Sequence, residues 1–147
     1  MIEGLSTTRA VMSVVRLPRP IVNQILSHAQ GSPEAEICGL LAARDGHIVA
    51  SYPIPNVASD PDILFEMDPQ AQIQAIRHMR DNDHELYAIY HSHPHSPARP
   101  SATDLANATY PEAVYLIVSL NTKGVLEMRG FRLQDGKVEE LGLELGQ

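Results

Sequence analysis

Three short runs of nearly unbroken apolar residues constrain this chain most: Glu36 to Ala43 (Glu-Ile-Cys-Gly-Leu-Leu-Ala-Ala), Leu86 to His91, and Ala113 to Leu120. Runs of this length that are apolar at successive positions fit strands buried on both faces, so they belong at the centre of a covered sheet. The rest arranges itself around them. Val11 to Leu17 reads as a short valine-rich strand. Pro18 and Pro20 suit the first turn of a helix carrying Ile21, Ile25 and His28, which Gly31 and Pro33 end. Asp45-Gly46 predicts a hairpin into a strand over His47 to Ile54, and Pro53 to Pro61 reads as a loop. A short strand is expected over Ile63 to Met67, then a helix from Pro69 to about Asp81 with Ile73, Ile76 and Met79 on one face as core. Pro94 to Pro100 holds three prolines and reads as a loop, followed by a helix over Ala102 to Thr109. Strands over Val125 to Leu133 and Lys137 to Leu141, joined at Asp135-Gly136, complete the order βαβββαβαβββ. That order predicts an α+β (α/β-like) fold: a single mixed β-sheet flanked by helices.

At 147 residues the chain has the length of one domain, taken as residues 1–147 with a loose N-terminus over residues 1–10. A chain of this size buries about 68–70% of its unfolded surface, enough for a real core. Eighteen acidic against eleven basic residues give a formal charge of −7, which argues against nucleic-acid binding because no excess of Lys and Arg exists to displace counterions. Cys38 is the sole cysteine, so no internal disulfide forms, and no apolar run is long enough for a membrane helix. A cytoplasmic location without membrane association is the expectation, and the composition leaves room for a homodimer.

Chemistry concentrates in His91-Ser92-His93-Pro94 and, after the proline-rich loop, Ser101-Ala102-Thr103-Asp104. Residues two apart on a strand share a face, so both imidazoles can converge on one ion, and Pro94 biases His93 toward extended geometry. Ten residues separate His93 from Asp104, enough for the chain to return and present a carboxylate as third ligand. Two histidines and a carboxylate leave a fourth position for water, the arrangement of a catalytic zinc site rather than a structural one. Such a site needs a base that does not ligate the metal, and Glu36, at the mouth of the first buried strand, is the candidate. Ser101 supplies a hydroxyl for a developing oxyanion.

These residues resemble the JAMM (MPN+) zinc metallopeptidases, whose pattern is an upstream Glu, then His-x-His-Pro, ten residues and Asp, with Ser three before the Asp. Glu36, His91, His93, Ser101 and Asp104 match every position, and Glu36-Ile37-Cys38-Gly39-Leu40-Leu41 is similar to the family's prokaryotic branch. The likeness runs from about Val15 to Leu133. It implies a cytidine-deaminase-like fold, one Zn2+ per chain, and cleavage of an amide or isopeptide bond at the C-terminus of a ubiquitin-like or sulfur-carrier protein, whose tail would lie extended near Asn56 to Met67.

Other readings stand beside this one. Paired strand histidines are commonly polar tips at a sheet end, and Ser101 to Asp104 also fits a helix N-cap, a role compatible with ligation. Cys38 invites a nucleophile reading, but its apolar neighbours make buried packing the better account. His95 and Arg99 lie near the site on a loop expected to be solvated. A related domain of this type can also serve as a non-catalytic interaction scaffold, and the ligand set alone admits iron, cobalt or nickel.

Overall fold

A computed structural model describes residues 14–121 and 126–146. The strands are β1 (Val14–Leu17), β2 (Cys38–Arg44), β3 (His47–Ile54), β4 (Glu85–His93), β5 (Val114–Ser119), β6 (Glu127–Gln134) and β7 (Lys137–Leu145). The helices are α1 (Arg19–Gln30), α2 (Pro69–Asp81) and α3 (Ala102–Ala106). The strands form one mixed sheet in the order β1-β7-β6-β5-β4-β2-β3, in which β4/β5 and β1/β7 run parallel and the other pairs antiparallel. The expected residues 1–10, the first residues of the Val11 to Leu17 strand and Val125 lie outside the described residues.

The three apolar runs are β2, β4 and β5, adjacent at the centre of the sheet. Alternate residues divide between two cores. Leu41, Ala88, Tyr90, Leu116 and Val118 face α1, which contributes Ile21, Val22, Ile25 and Ala29. Leu40, Ala42, Ile89, Tyr115 and Ile117 face α2, which contributes Ala75 and Met79. Because both faces are covered, these strands show no polar alternation. Both Asp-Gly hairpins have positive φ at their two central residues, 51° and 81° at Asp45-Gly46 and 54° and 73° at Asp135-Gly136, as the tightest hairpin turns require.

Three expectations are corrected. Ile63 to Met67 is not a strand; only Met67 bridges, to Asn56. The Ile63 and Leu64 amides turn back to the Asp60 carbonyl, and the Asn56 side chain takes the Leu64 carbonyl and Glu66 amide, so the ladder groups are spent locally. Ile73 is 56% exposed, because α2 turns its Ala71, Ala75 and Met79 line to the sheet and Ile73 projects from the opposite side. Helix α3 stops at Ala106 rather than Thr109: Asn107 is its C-cap, and the Ala108 amide bonds only three residues back, to the Leu105 carbonyl, so the four-residue ladder ends there.

The sheet centre is packed tightly enough to require a glycine. A Cβ at Gly39 would fall within the Tyr90 ring, which is 1% exposed and has little room to move. Gly39→Ala is therefore expected to cost about 1–3 kcal/mol in urea unfolding, with part recovered when Tyr90→Leu is added. An unchanged midpoint for the single variant would contradict this packing.

Candidate active site

The sheet register delivers the histidines. Strand β4 lies between β2 and β5, with His91 opposite Cys38 and Ile117 and His93 opposite Ser119, so both rings emerge on the α2 side at the carboxyl end of the strand. Both are nearly fully buried. The proline-rich loop then returns the chain to α3, where Ser101 and Asp104 form a capping box: the Ser101 Oγ accepts from the Asp104 amide at 3.0 Å, and the Asp104 Oδ2 accepts from the Ser101 amide at 2.9 Å. The N-cap reading is thus realised, and it aims the carboxylate at the histidines.

Three donor atoms meet there. His91 Nε2 and His93 Nε2 are 3.2 Å apart and lie 3.1 and 3.0 Å from Asp104 Oδ2. A tetrahedral ion with ligands at about 2.0–2.1 Å separates them by about 3.4 Å, so this triangle is close to the spacing such an ion imposes. The His93 Nδ1–H donates to the Pro97 carbonyl at 2.8 Å, which leaves Nε2 to face the cluster and to ligate once an ion displaces the proton it gives Asp104. The set can hold a metal ion. Its electrostatics are strongly coupled. Burial drives the His91 pKa down. For His93, burial pulls the same way, but the hydrogen bonds with Asp104 and Pro97 and the charges of Asp104 and Glu36 together outweigh it and raise the pKa. Burial would raise the Asp104 pKa, yet hydrogen bonds from both imidazoles hold it far below the usual carboxylate range.

Glu36 is brought to the same corner. The β2 ladder begins at Cys38, two residues later than the apolar run suggests, because the Glu36 amide donates to the Pro61 carbonyl and the Ile37 amide to the Ser92 Oγ at 2.9 Å. The Ser92 amide returns a bond to the Ile37 carbonyl at 3.0 Å, tying the Glu36 segment to the residue between the two histidines. Glu36 is 4% exposed, and its Oε1 has no hydrogen-bond partner among the described residues. Burial pushes its pKa up to about 8; the His93 charge opposes this and those of Asp104 and Asp62 add to it. Cys38 lies fully buried, its thiol pushed up to about 12 by burial and by Glu36, which fits the packing role. His95 is exposed, 3.6 Å from Glu34.

Beside the cluster runs a cleft of about 290 Å³, mostly apolar, between residues 64–67 on one side and 107–110 on the other, with His91 and Asp104 at its wall. The structure brings the five candidate residues to one corner, together with Ser92 and Asn56, which the sequence did not single out. Ser92 had a signal: a polar residue inside a buried strand must find a partner. Asn56 had none beyond being a loop residue.

Comparisons with known proteins point to one family. Residues 18–133 match the family described as prokaryotic homologs of the JAB domain. The chain is 39% identical over 103 residues to the desampylase of Haloferax volcanii, covering 66% of this chain and 74% of that protein. It is 34% identical over 134 residues to the CysO-cysteine peptidase of Mycobacterium tuberculosis, covering 90% and 91%. The solution structure of a Desulfitobacterium hafniense protein matches with a TM-score of 0.80 at 34% identity, covering 91% of this chain and 93% of that one.

The raised Glu36 pKa has a stability consequence in metal-free protein. Folded, Glu36 keeps its proton until about pH 8, whereas the ordinary value is 4.5, so the folded state binds more protons in that window and loses stability as pH rises through it. Glu36→Gln removes this titration. The melting temperature of the metal-free variant is expected to exceed that of metal-free wild type by a margin that widens from about pH 5 to about pH 8 and then levels. A margin independent of pH would contradict it.

Proposed function

The chain belongs to the family of prokaryotic homologs of the JAB domain, and on that premise we propose that it is a zinc-dependent peptidase or isopeptidase that hydrolyses an amide bond at the C-terminus of a ubiquitin-like or sulfur-carrier protein. The observation that carries the reading is a three-donor cluster of His91, His93 and Asp104 with the carboxyl group of Glu36 buried beside it, its Oε1 without a partner among the described residues, and a cleft leading to it. The relatives support the substrate class by their names, a desampylase and a CysO-cysteine peptidase. Residues 1–147 are read as one domain, and a cytoplasmic location suits a chain whose sole cysteine is buried.

In this reading His91, His93 and Asp104 hold the ion. Zinc bound there supplies a Lewis acid that lowers the pKa of water toward about 7 and polarises a carbonyl. Glu36 takes the proton of the attacking water and delivers it to the leaving amine; an apolar surround that lifts a carboxyl toward neutral pH suits it to both transfers. The Ser101 oxygen already accepts from the Asp104 amide, so its hydrogen is available to donate to the developing oxyanion. The protein tail lies extended near residues 56–67, in the cleft whose wall residues 64–67 form, with the scissile bond at the His91 and Asp104 end. A scaffold would have no use for a carboxyl group buried at Glu36 with its Oε1 unpartnered among the described residues.

The test is to incubate the protein with ubiquitin-like sulfur carriers that bear a C-terminal extension and to weigh the products. Loss of the extension is expected, abolished by a chelator and restored by zinc. Glu36→Gln should retain zinc and lose about 10²–10⁴-fold in turnover, while His91→Ala should lose both. Full turnover in Glu36→Gln would remove that residue from the base role, and uncut carriers in the presence of bound zinc would contradict the substrate class.

A further inference from the structure

A metal-binding histidine ordinarily donates its second ring N–H to a carbonyl or carboxylate, which fixes the ring for ligation. His93 does so, through Pro97. His91 does not: it is 1% exposed, and its Nδ1 has no partner among the described residues. Its ring is instead covered by Phe65, stacked with centroids 4.5 Å apart and planes 27° from parallel.

Phe65 belongs to no strand or helix, so something else must hold it. That is Asn56. Its Nδ2 donates to the carbonyls of Leu64 and Glu36, both at 2.9 Å, and its Oδ1 accepts from the amides of Glu66 at 2.9 Å and Ala58 at 3.0 Å. These four bonds use the whole capacity of an amide side chain. Two of them grip the residues on either side of Phe65, a third holds the main chain at Glu36, and the Val57 amide adds a bond to the Glu66 carbonyl at 2.8 Å.

We propose that Asn56 and Phe65 are positioning residues of the metal centre: Asn56 sets the loop so that the Phe65 ring fixes the plane of the His91 imidazole in place of the missing hydrogen bond, and the same side chain anchors the main chain of Glu36. The inference rests on reading His91, His93 and Asp104 as the zinc site. A phenyl ring carries no charge and no donor, so its effect on His91 is orientational. It also lines the cleft, so a bound tail would pass over the residue that steadies a ligand. Were Phe65 only a cleft wall, replacing it would change the KM for substrate and leave the metal alone.

The discriminating measurement is therefore metal affinity without substrate, by chelator competition for zinc, together with the visible spectrum of the cobalt-substituted protein. Phe65→Leu keeps an apolar side chain but removes the flat face, and is expected to weaken zinc about 10–100-fold and alter the cobalt bands. Phe65→Tyr keeps the face and should bind as wild type does. Asn56→Ala should repeat the loss, and if that variant fails to fold, the two Phe65 variants decide. Wild-type zinc affinity with an unaltered cobalt spectrum in Phe65→Leu overturns this proposal while leaving the zinc reading intact. Failure of the wild-type protein to bind zinc or cobalt overturns both.

Discussion

The convergence of His91, His93 and Asp104 on one point, in a corner almost closed to water, is the constraint from which the surrounding structure follows. A buried carboxylate is tolerable only when paired and hydrogen-bonded, and Asp104 meets that condition through two imidazoles and the Ser101 amide. Holding the three donors within 3.0–3.2 Å of one another requires a strand extended to its last residue and a loop that returns to the same place. Strand β4 provides the first by pairing with β2 as far as His91 and with β5 as far as His93. The proline-rich loop and the capping box of α3 provide the second. Each device is ordinary; their combination turns three side chains with separate local duties into one cation-sized triangle.

Glu36 shows the opposite balance. Its carboxyl is buried beside a negative neighbour, Asp104, and its Oε1 lacks a hydrogen-bond partner among the described residues. Nothing in the folding of the sheet needs a carboxyl there. Residues that cost stability without structural return are a mark of function, since selection tolerates them only for what they do. The main chain around it is by contrast over-determined: Pro61, Ser92 and Asn56 all bond to residues 36 and 37. A buried carboxyl group on a fixed backbone suits the proton carrier proposed for this site.

Much of this could be read from the amino acids. The three apolar runs declared themselves as central strands because burial on both faces removes the usual alternation, and the two Asp-Gly pairs marked their hairpins because positive φ is cheap there. The five candidate residues were legible because His-x-His-Pro and the later Ser-x-x-Asp each have a local geometric meaning. What stayed hidden depends on contacts distant in sequence. Ile63 to Met67 has the composition of a strand, yet Asn56 consumes its pairing groups through a side chain, which no periodicity reveals. Ile73 fits a helical stripe, but the sheet chose the neighbouring alanine line. Phe65 and Ser92 gain their meaning only from the ring above one and the Ile37 main chain beside the other.

The most direct test of the account is a crystal structure of the zinc-loaded protein with anomalous diffraction recorded at the zinc edge. A single ion is expected, bound by His91 Nε2, His93 Nε2 and Asp104 Oδ2, with its fourth position held by water or another small non-protein ligand facing Glu36 and the cleft. A fourth ligand from the protein itself, or an ion lodged elsewhere with Asp104 turned away from the imidazoles, would contradict it.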